Sequence, residues 1–272
     1  ESLVTKSGAA PASQPNASPQ TEVSDEAEAC RLCGGRTVPA FVLKLLSKYD
    51  VTYSRCNVCQ SLQSAAPFWL EEAYSSALPS TDTGSVQRCL AAQAAVITVL
   101  NSLGLSGTVL DYGGGTGLLC RLLRDTGIDA YNFDPFAPQV FAPQFSMRAM
   151  GEIMNPPALV TAFEVLEHLP NPLADVEKIF SLRPAAILAT TILYGGQGKD
   201  WWYLGPDAGQ HVFLYGGEAM YHIAKTHGYS YIRVGEYHIF TQRMPNVLQK
   251  LCLSIGLSRI GSRTMRATVT LL

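Results

Sequence analysis

The sequence predicts an α/β fold, a mainly parallel sheet with helices on its faces, preceded by a small N-terminal module. Two observations carry the α/β part. Short apolar runs alternate with segments of helical period, and the glycine-rich turn Gly113-Gly114-Gly115-Thr116-Gly117 joins one such run to a helix. The module rests on a third, the cysteine pairs Cys30-x-x-Cys33 and Cys56-x-x-Cys59.

At 272 residues, 47% hydrophobic and 15% charged, the chain is long enough for one substantial core and a minor appendage. It has no run of roughly 18 consecutive apolar residues, so no membrane span is expected. A formal charge of −2 without any Lys/Arg run removes the electrostatic case for nucleic acid or an anionic membrane as partner. Residues 1–28, rich in Ala, Ser, Pro, Gln and Glu, bury too little to offset chain entropy and are expected to form a disordered leader. That leader lacks the apolar segment of a secretory signal and the Arg-rich character of a presequence, so the cytoplasm is the expected compartment. The sequon Asn16-Ala17-Ser18 is a pattern that arises by chance.

Residues 29–66 are the expected module. Twenty-two residues separate Cys33 from Cys56, and two knuckles at that spacing supply the four thiolates that tetrahedral Zn²⁺ takes. With Cys30, Cys33, Cys56 and Cys59 all ligating, no coordination position is left for water or substrate, so the zinc is structural, in a zinc-ribbon-like unit too small to fold without it. Phe41 to Tyr53 supplies strands or a helix over the site. The remaining cysteines, Cys89, Cys120 and Cys252, stand in apolar segments as core thiols.

Residues 67–106 form a helical lead-in. Pro67 to Ala77 is a short helix, and Ser80 to Ser85 offers caps for a long one whose Cys89, Ala92, Val96, Val99 and Leu103 recur at helical steps. Tyr74 and Arg88 are either a core tyrosine and a solvated arginine or groups that reach a cofactor carboxylate.

Thr108 to Asp111 is a strand that runs into Gly113, Gly115 and Gly117, and the following helix presents free amides. Dinucleotide-binding folds use such turns as well. Asp111, however, precedes the glycines, where it repels a pyrophosphate but accepts a hydrogen bond from an ammonium. S-adenosylmethionine carries an amino-acid moiety and no phosphate. The next strand ends in Asp134, placed to grip ribose hydroxyls in either cofactor class.

Val109-Leu110-Asp111-x-Gly-x-Gly-x-Gly, the acidic strand end at Asp134, and Phe163-Glu164-Val165-Leu166-Glu167-His168-Leu169 together resemble class I methyltransferases over residues 107–243. The resemblance implies a Rossmann-like, seven-stranded sheet with S-adenosylmethionine across the strand carboxyl ends, bordered by Phe163 and Glu164. It gives Glu167 and His168 structural or cofactor-positioning roles before proton transfer. The rest reads in order: strand 158–163, helix 172–182, an interior strand 184–193, helix 218–226, and a hairpin of 229–234 with 237–241. Residues 244–272 are an extension, a helix through Leu248, Leu251, Cys252 and Ile255 followed by a short strand.

A long loop between Leu193 and Glu218 holds Trp201, Trp202, Tyr203 and His211, where this architecture binds ligands. The aromatic residues wall a pocket or cap the core. His211 is the candidate general base, since imidazole titrates near working pH. The cysteine module, this core and the His-x-Phe segment resemble bacterial sugar C-methyltransferases, which act on nucleotide-linked keto-sugars. That resemblance implies His211 as base, Tyr215 as its assistant, and a small-molecule acceptor such as a nucleotide-sugar, methylated at carbon or oxygen. It departs in the C-terminal domain those enzymes carry. Two other readings stand beside it, an RNA methyltransferase docking through the zinc module and a non-catalytic cofactor-binding scaffold. The sequence does not fix the oligomeric state.

Overall fold

The structure, a computed structural model, describes residues 28–75, 84–147, 152 and 155–269. The leader, apart from Glu28, lies outside the described residues, as does most of the capping segment at 80–85.

The N-terminal segment is β-structured. β1 (Thr37–Leu45) and β2 (Tyr49–Cys56) form an antiparallel hairpin, and β3 (Leu62–Ser64) pairs with β2. Leu46 and Ser47 make the hairpin turn with φ of 53° and 57°, and Lys48 N–H closes it on the Leu45 carbonyl at 2.9 Å. This is the double left-handed turn that suits a twisted hairpin, made without the glycine or asparagine that announces it in a sequence.

α1 (Leu70–Ser75) and α2 (Ser85–Leu103) lead into the main sheet: β4 (Val109–Tyr112), α3 (Leu118–Asp125), β5 (Ala130–Phe133), β6 (Leu159–Phe163), α4 (Pro172–Ser181), β7 (Ala186–Thr190). There follow β8 (Phe213–Leu214), α5 (Gly217–His227), β9 (Ser230–Val234), β10 (Tyr237–Thr241) and α6 (Val247–Val269). The sheet order is β5-β4-β6-β7-β10-β9, with the first four strands parallel and β10 antiparallel to both its neighbours. The expected α/β class is therefore observed. Among the described residues six strands stand where seven were expected; beyond β5, the edge is a single parallel bridge from Asn132 to Ser146.

Strand alternation divides the core. Leu110, Val160, Ala162, Ile187 and Phe240 face α4 and α5, while Val109, Leu159, Leu188 and Ile239 face α2, α3 and α6. α2 is 19 residues long and, by length and composition alone, apolar enough to cross a membrane; its face of Ala92, Ala95, Val96 and Val99 is buried against the neighbouring elements. Two amphipathic readings need correction. Leu248, Leu251, Cys252 and Ile255 of α6 are exposed, and Leu253 and Leu257 make its buried face. The chain also continues as helix to Val269 rather than turning into a strand. One face of a short apolar helix cannot be told from the other by period alone when both carry leucines.

The two sheets share a seam. β8, from the long loop, adds to the N-terminal sheet by pairing Leu214 with Leu62 and Phe213 with Gln63. Cys30, Leu32, Cys56 and Cys59 pack in the same core cluster as Phe213, Tyr215, Ala219 and Met220. At Gly216 the approach is closest: a Cβ there would lie 2.6 Å from the Cys59 carbonyl oxygen.

Candidate functional site

The chain runs from β4 outward to β5, then returns to β6 on the other side of β4. That reversal opens a crevice at the carboxyl ends of β4 and β6, the place where open α/β sheets bind ligands. Asp111, Gly113, Phe163 and Glu164 all lie there, and Asp134 follows the adjacent β5.

Gly113, Gly115 and Gly117 have φ of 70°, 56° and 83°, backbone that L side chains resist. Gly114, which the sequence reading passed over, is held to glycine by space instead. A Cβ on it would fall 2.1 Å from both Asp111 Oδ2 and Asn132 Oδ1. Those two oxygens are buried and have no hydrogen-bond partner. Asp111 Oδ1 accepts from Thr161 Oγ1 at 2.7 Å. Burial pushes the Asp111 carboxyl up to about 7, against the Thr161 hydrogen bond and with help from Asp134. Asp134 Oδ2 accepts from Gly115 N–H at 2.9 Å, and its Oδ1 accepts from the N–H groups of Phe136 and Ala137.

After β6, Glu164 has φ of 51°, a strained value of the kind that clusters at functional sites. Tyr203 Oη donates to Glu167 Oε1 at 2.7 Å and lies 3.1 Å from Glu164 Oε2, so one phenol spans two carboxylates. Glu167 Oε2 is buried without a partner, and burial together with Glu164 pushes its carboxyl up to about 8. His168 Nδ1 takes the Tyr74 hydroxyl at 3.0 Å, which settles Tyr74 as a contact of this cluster. Burial and the neighbouring His211 push the His168 imidazole down to about 3. The His211 and His168 rings meet edge-on with centroids 4.8 Å apart.

His211 Nδ1 hydrogen-bonds the Tyr203 carbonyl oxygen. A carbonyl only accepts, so Nδ1 carries the proton and Nε2 keeps its lone pair. Burial lowers the imidazole's pKa, opposed by that hydrogen bond and by Glu164. Tyr215 is not brought beside it. Its side chain is fully buried, its hydroxyl has no partner, and it stacks edge-on with Phe213 in the cluster that holds the cysteines. As an assistant to His211 it has no contact to work through, because β8 turns it toward the core. Trp201 packs against the core, and Trp202 is 73% exposed.

The segment carrying His211 is gripped from the N-terminal side. Trp69 Nε1 donates to the Gly209 carbonyl at 2.7 Å, Tyr53 Oη to the His211 carbonyl at 3.0 Å, and Arg31 Nη2 to the Val212 carbonyl at 2.7 Å. None of these contacts is legible in sequence, since each joins positions more than 130 apart.

The four N-terminal cysteines converge. Cys30 and Cys59 sulfurs are 3.6 Å apart, as are those of Cys33 and Cys56, and all four lie within 4.8 Å of one another. A tetrahedral zinc with bonds of about 2.3 Å spaces its sulfurs about 3.8 Å apart, so the dimensions fit. Val58 N–H donates to Cys56 Sγ at 3.3 Å.

The profile of the methyltransferase domain matches residues 86–234, over half of the 272 residues. This chain belongs to that methyltransferase family. It is an enzyme of the class that takes its methyl group from S-adenosylmethionine, and the crevice fits that donor. Two buried acceptors without hydrogen-bond partners lie beside Gly114, a pair whose chemistry suits an ammonium. No curated protein matches the methyltransferase by sequence. Solved structures similar to it include magnesium protoporphyrin IX methyltransferase from Synechocystis PCC 6803, at 15% identity over 63% of this chain and 87% of that one, with a TM-score of 0.43. Another is 1,6-didemethyltoxoflavin-N1-methyltransferase from Burkholderia thailandensis, at 14% identity over 76% and 99% of the two chains, with a TM-score of 0.48. Likeness at this level says nothing about the acceptor of this methyltransferase.

Proposed function

We propose that this methyltransferase acts on a small molecule bound between Trp202 and His211, with His211 as the base and a structural zinc in the cysteine cluster. The observation that carries the reading is the fixed tautomer of His211, whose Nδ1 is occupied by the Tyr203 carbonyl and whose Nε2 is left basic. S-adenosylmethionine supplies, when bound, a methyl carbon whose bond to sulfur breaks with both electrons staying on sulfur. The acceptor atom forms the new bond to that carbon, and its proton passes to His211 Nε2. Asp111 and Gly114 hold the amino-acid end of the donor, and Asp134 its ribose. The exposed Trp202 suits stacking on a sugar ring, so nucleotide-linked sugars and other saccharides are the first acceptors to screen, for methylation at carbon or oxygen. In this reading residues 29–66 are a zinc module, 67–106 a lead-in, 107–243 the catalytic core and 244–272 an extension.

The test is His211→Ala. Methylation of a saccharide acceptor should fall by a factor of about 10²–10⁴, with S-adenosylmethionine affinity by calorimetry nearly unchanged. Turnover equal to wild type removes His211 as base.

A further inference from the structure

Beside the donor crevice stands a group of side chains that acid–base chemistry does not use up. Glu167, His168 and His211 each offer one ligand atom, and those atoms lie within 4.8 Å of one another. Glu164 joins them through Tyr203, whose hydroxyl touches both carboxylates. We propose that these residues bind a divalent first-row metal ion of the Mn²⁺, Fe²⁺ or Co²⁺ kind, separate from the cysteine cluster, next to the transferred methyl group.

Three features argue for an ion here rather than a packing accident. The Glu167 Oε2 atom is buried with no partner, a costly arrangement for a polar atom, and a bound cation both supplies the partner and draws the carboxyl into its ionised form. The His211 ring is oriented as ligating imidazoles are, with its far N–H on a backbone carbonyl and the other nitrogen free. His168 Nδ1 meets the Tyr74 hydroxyl at 3.0 Å, a neutral group that an ion displaces. Two imidazoles with carboxylate oxygen suit borderline divalent ions, whereas four thiolates select zinc. Three protein ligands leave coordination positions open, so the ligand class is an ion together with an acceptor oxygen that completes its shell.

The inference shares the acceptor pocket with the proposed function but not its chemistry. In the ion-bound protein His211 Nε2 is a ligand; in the ion-free protein it is the base. The full chain, loaded with one equivalent of Zn²⁺, which the thiolates take first, is titrated with Mn²⁺ and the free ion followed by electron paramagnetic resonance. The expected result is saturable binding of a single Mn²⁺, weakened about tenfold or more in Glu167→Gln and in His168→Ala. S-adenosylmethionine affinity and the thermal melt of each variant report whether it is folded. Absence of bound Mn²⁺ in the wild-type protein overturns the inference, as does binding that survives in a folded His168→Ala. Because Mn²⁺ is read without turnover, its absence leaves methyl transfer standing. Absence of methyl transfer in the ion-free protein, with Mn²⁺ binding intact, sinks the proposed function alone.

Discussion

The cysteine cluster and the histidine–glutamate cluster are both sets of ligand-bearing side chains drawn within 4.8 Å, but they are built in opposite ways. The cysteines come as two local pairs, each on its own tight knuckle, and one hairpin brings the knuckles together. The second cluster takes Glu164, Glu167 and His168 from the turn after β6, Tyr203 and His211 from a loop some forty residues on, and Tyr74 from α1. The first is specified by spacing. The second depends on tertiary structure, and its loop is held by the same N-terminal segment that carries the cysteines. Local clusters can be read and can be broken one residue at a time; assembled clusters inherit the stability of whatever holds them.

The largest test removes the foundation. Cys56→Ser should abolish the bound zinc measured by elemental analysis and lower the melting temperature by about 10 °C or more, taking the order of the His211 segment with it. An unchanged melt would mean that the two clusters are independent. Next in size, Gly114→Ala should weaken S-adenosylmethionine binding at least tenfold by calorimetry, since its Cβ would sit 2.1 Å from Asp111 Oδ2. The zinc content should stay as it was, which separates the donor turn from the cysteine cluster.

A smaller effect follows pH. Burial keeps a proton on Asp111 below about pH 7. Pairing with the donor's ammonium favours the ionised form, so binding below that pH must expel the proton and above it need not. Affinity should therefore rise severalfold from pH 6 to pH 8 and then level. A flat profile would show that Asp111 does not meet the ammonium. The smallest change is Tyr53→Phe, which deletes the hydrogen bond to the His211 carbonyl. At about 1 kcal/mol for that bond, kcat should drop a few-fold with KM held. A rise in KM instead would place Tyr53 against substrate.

These contrasts mark what the sequence discloses. The strands from β4 to β7 are short, mostly apolar runs between turn signals, and the donor turn announces itself by glycine and acid. Gly114 hid among its neighbours because its constraint comes from Asn132, on another strand. Tyr203 read as one of several loop aromatics, since its role requires two carboxylates from the turn after β6. Tyr215 looked adjacent to His211 along the chain, and only the pairing of β8 with β3 shows that it turns inward. Nonlocal pairing leaves no period for a reader to find.

The contact at Gly216 bears on ancestry as much as on architecture. A small metal-stapled unit ordinarily behaves as an exchangeable cassette, joined to its neighbours by a linker that tolerates recombination. Here the backbone of residue 216 sits against the Cys59 carbonyl with no room for a methyl group, and Ser61 Oγ accepts its N–H at 3.0 Å. A crossover that imported a foreign cysteine unit would have to import a partner for residues 209–216 with it. Chimeras cut between the two parts should fail at the join even when each half is sound.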